Sequence, residues 1–187
     1  MLYRLLALFH WRPRALAVKR ALSCVNDAKR VVDVGCGPAW LARVARSCDL
    51  DYLGVDPSVR RAKGIERGQV EPGDAESVIG QLHRLDIVVL NGVAHHLPNQ
   101  TLAALLNAAE ACKALVICDH RSEPQNHSVC RTLQRLDRGQ YIRPRSFFET
   151  LAGWTLIRME PFEICVLGLP VWSYFTAIYQ PTGAPRD

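Results

Sequence analysis

Val31-Val32-Asp33-Val34-Gly35-Cys36-Gly37-Pro38-Ala39-Trp40 sets a β-branched run against a glycine-rich turn and a helix-compatible segment. A short valine-rich run broken only by Asp33 suits a strand buried on both faces of a parallel sheet. Gly35 and Gly37 permit backbone angles that a side chain forbids, and they let a ligand approach the main chain closely. The same rhythm recurs downstream: Tyr52-Leu53-Gly54-Val55 ends at Asp56, Ile87-Val88-Val89-Leu90 at Asn91, and Leu115-Val116-Ile117-Cys118 at Asp119. Helix-compatible stretches lie between these runs, from Trp40 to Ser47, Val59 to Gly64 and Leu102 to Lys113. Alternating strand and helix predicts a doubly wound α/β domain with a mostly parallel sheet and helices on both faces.

After Asp119 the rhythm changes. A polar loop, Arg121 to Gln125, leads to a predicted helix, and Arg145 to Leu151 forms another. Trp154 to Phe162 and Trp172 to Tyr179 read as two final strands, antiparallel to each other and joined by a Gly/Pro-containing link. In doubly wound sheets ligands bind beyond the carboxyl ends of the strands, near the point where strand order reverses. Those ends carry Asp33, Asp56, Asn91 and Asp119, so the polar residues gather where a site belongs.

The chain has 187 residues, 49% of them apolar and 22% charged, which fits one globular domain with a real core. No run approaches the roughly 18–20 apolar residues of a membrane-spanning helix. The net charge of +5 is localised. Residues 1–26 hold Arg4, Arg12, Arg14, Lys19 and Arg20 and no acid, leaving 18 basic and 18 acidic residues for positions 27–187. Residues 1–26 therefore read as a basic helical arm on a neutral domain of residues 27–187. A neutral body argues against a nucleic-acid partner, which wants a basic face on the domain itself. Within the arm, Tyr3 and Trp11 either close over a ligand or dock the arm by apolar contact. The seven cysteines form no CxxC pair and several sit in apolar runs, so free thiols in a cytoplasmic protein are expected. Nothing in the sequence sets an oligomeric state.

Asp56 raises the specificity of the glycine-rich turn. A carboxylate 23 residues after Asp33, at the next strand end, can accept both hydroxyls of a ribose lying across the sheet. The dinucleotide fingerprint GxGxxG requires glycine at position 40, where this chain has Trp40. Asp33 would also repel a pyrophosphate, and instead suits a cationic ligand such as an amino-acid ammonium beside a sulfonium.

On these residues the sequence resembles the class I (Rossmann-like) S-adenosylmethionine-dependent methyltransferases, particularly the compact bacterial small-molecule type, over about positions 29–180. Asp33-Val34-Gly35-Cys36-Gly37 resembles the first motif of that family, and Asp56, followed by Pro57, resembles its ribose-binding acid. Gly73-Asp74-Ala75 is similar to the loop that reads the adenine amino group. Asn91 to Leu97, with its His95-His96-Leu97 run, is similar to the segment after the fourth strand. Spacings of 23, 18 and 17 from Asp33 through Asp56 and Asp74 to Asn91 match the family order. One departure is Ala39, where the family often has a third glycine. The resemblance implies a seven-stranded sheet with one antiparallel member, S-adenosylmethionine as cofactor and a small-molecule methyl acceptor. It also implies a cofactor site at Asp33, Gly35, Cys36, Gly37, Asp56, Pro57, Asp74, Ala75 and Asn91.

His95 and His96 are the general-base candidates, because a neutral imidazole can take a proton from a hydroxyl or amine near pH 7. Asp119-His120 is either a second acid–base pair or a structural turn, and His120 is taken as a candidate acceptor contact. In related enzymes the region after the fifth strand covers the acceptor pocket, which makes Arg138, Tyr141 and Arg143 candidates for acceptor recognition. No metal site is expected, since adjacent histidines in an extended segment point in opposite directions. The Asn/Asp-Pro-Pro-aromatic motif used on base amines is absent from Asn91-Gly92-Val93-Ala94. A nucleic-acid or protein methyltransferase, or a non-catalytic partner subunit retaining the fold, are the competing readings.

Overall fold

A computed structural model describes residues 2–58, 69–122, 128–136, 139–166 and 168–183. Seven strands form one sheet: β1 (Arg30–Val34), β2 (Asp51–Asp56), β3 (Val70–Pro72), β4 (Asp86–Asn91), β5 (Ala114–His120), β6 (Trp154–Val166) and β7 (Leu169–Pro181). Their order is β3-β2-β1-β4-β5-β7-β6. Pairings from β3 through β5 are parallel, and β7 runs antiparallel to both of its neighbours. The sheet is thus mixed, with β7 the reversed member. Strands joined by so short a link as that between β6 and β7 can pair only antiparallel, and Gly168 turns there at φ +80°.

Among the described residues the α-helices are α1 (Leu2–Leu22), α2 (Leu41–Arg46), α3 (Asn99–Ala109), α4 (Ser128–Leu136) and α5 (Arg145–Glu149). Because successive strand residues face opposite ways, Val31 and Val32 belong to different cores. Val31, Ile87, Val89 and Val116 pack with Val18 and Leu22 of α1 and Leu41 of α2. Val32, Val88, Leu90 and Leu115 pack with Leu102, Leu105 and Leu106 of α3 and Phe148 of α5. At the amino ends of the central strands, Arg30 grips Asp86 through two nitrogens at 2.9 and 2.7 Å, tying β1 to β4.

Several expectations shift in detail. The helix expected over 102–113 spans Asn99–Ala109, starting directly after Pro98, which has no N–H to contribute to a first turn. The last two strands are longer than the runs that announced them. Val59 to Gly64 lies outside the described residues. The second half of the basic arm packs on the sheet: Ala15, Val18, Ala21 and Leu22 are buried, while Leu16 and Arg20 face out. Among the described residues no helix is long and apolar enough to cross a membrane.

This packing makes a stability prediction. Leu22 is 2% exposed and Leu16 51%. Leu22→Ala is expected to lower unfolding free energy by about 2–5 kcal/mol in urea titration, and Leu16→Ala by about 0.5 kcal/mol or less. Equal, small effects would mean that α1 is not part of the core.

Candidate cofactor and active site

Strand order reverses between β1 and β4, and a cavity of about 440 Å³ opens at their carboxyl ends. Each of the nine positions expected at a cofactor site borders it, from Asp33 in β1 to Asn91 in β4. A larger groove of about 600 Å³ lies between α1 and the β6–β7 hairpin, but it carries none of the strand-end residues. The chemistry gathers in the first.

The turn after β1 is built from left-handed residues. Gly35, Gly37 and Ala39 have φ of +68°, +52° and +53°. At Gly35 a Cβ would lie 2.4 Å from Val93 Cγ2, so only glycine fits between the turn and the segment after β4. At Gly37 a Cβ would meet nothing within 4 Å; the space beside this backbone is open. Ala39 holds its left-handed angle although buried, a conformation that costs an L-residue about 1–2 kcal/mol. The missing third glycine is therefore tolerated, under strain.

Asp56 organises this turn from the end of β2. Its Oδ2 accepts the Gly37 N–H at 2.9 Å and its Oδ1 accepts the Ser58 N–H at 2.8 Å. An ionised carboxylate offers about four lone-pair sites, so two remain for hydroxyl donors. Asp74 uses Oδ1 to cap the N–H groups of Glu76 and Ser77, and stands exposed at the cavity beside buried Ala75. Pro57 also borders the cavity, next to Asp56.

Asp33 is buried, and Tyr52 Oη donates to its Oδ2 at 2.7 Å. Burial pushes its carboxyl up to about 7, against the lowering effects of the Tyr52 hydrogen bond and the Arg14 charge. It is an acid held near its ionisation point on the wall of a cavity, and a cation arriving there would favour the carboxylate. Tyr52 escaped sequence reading; its signal is the register that sets β2 beside β1, with Asp33 opposite Gly54.

Beyond β4 the two histidines part company. His96 is exposed and lines the cavity with Val93 and Leu97. His95 lies behind it, buried, with the ring centroids 4.1 Å apart. Its Nδ1 is 2.6 Å from Asp119 Oδ1, so Nδ1 carries the proton that the carboxylate accepts. The Asp119 carboxylate also accepts the backbone N–H groups of His95 and His120. Burial alone would raise the Asp119 pKa, but the His95 charge and hydrogen bond outweigh it and the net shift is downward. Of the two candidate bases, only His96 reaches the cavity; His95 is its buried neighbour.

The acceptor candidates fare differently. His120 is buried, stacked on Tyr174 at 4.6 Å and edge-on to His95 at 4.6 Å, away from the cavity wall. Arg143 is buried and spends its guanidinium on the chain itself. It donates to the carbonyls of Ala94, Leu97 and Tyr141 and twice to Asn99 Oδ1. The expected acceptor contact is thereby corrected to a clamp, because five donations fix the loop that carries the histidines. Tyr141 belongs to the same clamp: its N–H donates to the His95 carbonyl at 3.0 Å, and its ring lies 5.8 Å from the Arg143 guanidinium. Arg138 lies outside the described residues. His95, Asp119 and His120 offer ligand atoms within 4.8 Å of one another, yet the Asp119 oxygens are already engaged by an imidazole and two backbone amides.

Two further cavity residues were not anticipated as such. Trp40 pairs with Trp11 of α1 at 5.2 Å, which brings the arm to the cavity edge. Arg14, also on α1, lines the cavity and hydrogen-bonds Asn91. A contact spanning 77 residues leaves no local signal.

The sequence model of a family described as a methyltransferase domain matches residues 7–156. No protein of curated function matches the chain by sequence. Among solved structures, an S-adenosylmethionine-dependent methyltransferase from Archaeoglobus fulgidus is 17% identical, with TM-score 0.60, covering 89% of this chain and 93% of that one. Magnesium protoporphyrin IX methyltransferase from Synechocystis, solved with S-adenosylhomocysteine, is 15% identical with TM-score 0.58, covering 92% and 84%. A candidate RNA methyltransferase from Pyrococcus horikoshii is 16% identical with TM-score 0.56, covering 91% and 84%. At these identities the likeness is one of fold.

The buried acid makes a pH prediction. Asp33 holds its proton more tightly folded than unfolded, so its favourable contribution is complete below about pH 4 and is lost as pH rises toward 7. Asp33→Asn is expected to remove a decline of up to about 4 kcal/mol across that interval, read as the wild-type minus variant difference in urea unfolding. Parallel pH profiles for the two proteins would contradict the assignment.

Proposed function

The chain belongs to the methyltransferase domain family, and from that premise we propose that it transfers the methyl group of S-adenosylmethionine to an oxygen or nitrogen of a small molecule. The observation that carries the reading is the Asp56 carboxylate, anchored by Gly37 and Ser58 with two acceptor sites left over and open space beside Gly37. The residues present fit this cofactor. Asp56 would hold the ribose hydroxyls, Asp74 and Ala75 the adenine edge, and Asp33 the ammonium side of the amino-acid portion. S-adenosylmethionine supplies a methyl group already activated on a sulfonium.

What the protein adds is alignment, and positioning of this kind can lower a barrier by roughly 7–11 kcal/mol. The Arg143 clamp fixes residues 94–99, and with them the orientation of His96 at the cavity wall. His96, on the cavity wall, would take the proton from an acceptor hydroxyl. His95, held by Asp119, packs its ring against His96 and limits the positions that ring can take. An amine acceptor that deprotonates before attack needs no such base, and the geometry serves either.

A small acceptor is favoured by the modest cavity and by the neutral body of residues 27–187. The segment after β4, Asn91-Gly92-Val93-Ala94, lacks the proline-aromatic motif of base-amine enzymes. Intact Asp33, Gly35, Gly37 and Asp56 speak against a partner subunit that has lost the cofactor. All seven cysteines are free thiols, which supports a reducing, cytoplasmic setting.

Calorimetric titration of S-adenosylhomocysteine is expected to give saturable binding to the wild type. Asp56→Ala is expected to weaken it by about 100-fold, the loss of charge-assisted hydrogen bonds to two hydroxyls. Absence of binding to folded wild type would sink the methyltransferase reading. With a hydroxyl acceptor, His96→Ala should lower kcat by about 10²–10⁴-fold while S-adenosylhomocysteine affinity holds; full activity across pH would remove the base assignment.

A further inference from the structure

Arg14 reaches from α1 to the carboxyl end of β4. Its Nε donates to Asn91 Oδ1 at 3.0 Å and its Nη2 to the Asn91 carbonyl at 2.6 Å. One rigid fork thus fixes both the side-chain amide and the backbone of a residue on the cavity wall. The next residue is shaped around it: Gly92 has φ +69°, and a Cβ there would lie 2.4 Å from Arg14 Nη2. On its other side the guanidinium lies 5.5 Å from the ring centre of Tyr174 in β7. Arg14 therefore joins α1, β4 and β7 at one point, on the border of the cavity that Asp33 also lines.

A guanidinium suits this place and an ammonium does not. Its donors diverge in a fixed plane, so two oxygens of one residue are gripped together, while its charge lies within cation–π range of the Tyr174 ring. Lysine would keep the charge beside Asp33 but would lose the fork.

We propose that Arg14 is a positioning residue of the cofactor site, holding Asn91 in the orientation that the bound cofactor meets. This rests on the reading of the cavity as the S-adenosylmethionine site, and it makes α1 part of the binding machinery as well as of the core. The role is indirect: Arg14 acts through Asn91, so the two residues are coupled in ligand affinity.

The test is a double-mutant cycle in S-adenosylhomocysteine affinity on the full chain, using Arg14→Ala, Asn91→Ala and the double variant, with Arg14→Lys alongside. Arg14→Ala and Asn91→Ala are each expected to raise Kd by about tenfold, and the double variant by little more than either alone. Arg14→Lys is expected to show a loss similar to Arg14→Ala, and it serves as the reading at this position if the alanine variant does not fold. A purely structural role would lower the melting temperature yet leave Kd of the folded protein unchanged, which would overturn the proposal. Losses that multiply in the double variant, or full affinity in Arg14→Lys, would overturn it as well. A wild type that binds no S-adenosylhomocysteine would fail differently, bringing down the cofactor reading on which the proposal stands.

Discussion

The Asp56 carboxylate holds the turn between β1 and α2 in place, and much of the site follows from that contact. Three of the five residues from Gly35 to Ala39 are in the left-handed region, which Gly35 and Gly37 enter freely and Ala39 only at a cost. Asp56 supports it from the adjacent strand by accepting the Gly37 N–H. The parallel register of β1 and β2, Val34 beside Val55, brings the two within reach. Once the turn is fixed, its backbone borders a cavity instead of filling it. Val93 closes the other side of Gly35, so β4 is drawn into the same construction.

The second constraint comes from the far end of the chain order. α1 precedes the sheet in sequence, yet it buries Val18 and Leu22 beside residues of β1, β4 and β5 and delivers Arg14 and Trp11 to the strand ends. Apolar burial supplies the docking energy, roughly 1.5–3 kcal/mol for each large side chain fully covered. The polar contact supplies orientation. The two sit on one helix because Arg14 and Val18 are four residues apart and share a face.

Much of the fold was legible in the sequence, and the limits of that legibility are physical. Strands buried on both faces announce themselves as short β-branched runs, which is how β1, β2, β4 and β5 were found. β3 was not, because Val70-Glu71-Pro72 is three residues long and ends in a proline. Asp33, Asp56 and Asp74, expected together from the family resemblance, all border the cavity. Arg14 could not be read, since its partner is 77 residues away. Arg143 shows the converse error: an arginine in the expected acceptor region invites a ligand role, but buried donors are satisfied by the nearest carbonyls. The histidine pair was legible as a pair only. Which ring faces the cavity depends on Asp119, a partner 24 residues from His95.

On the proposed reading, the arrangement divides its labour between a cofactor cradle and a braced histidine. Asp33, Asp56 and Asp74 ring a cavity with acids, which suits a ligand that is cationic and rich in hydroxyls, whereas a phosphate would be repelled. Across from them the loop from Ala94 to Asn99 is fixed by Arg143, leaving His96 as its exposed chemical group. The measurement that bears most directly on this account is a crystal structure of the full chain with S-adenosylhomocysteine. The account predicts the ribose hydroxyls on Asp56, the adenine beside Asp74 and Ala75, and the ammonium toward Asp33. Ligand bound instead in the groove between α1 and the β6–β7 hairpin, with the strand-end cavity vacant, would contradict it.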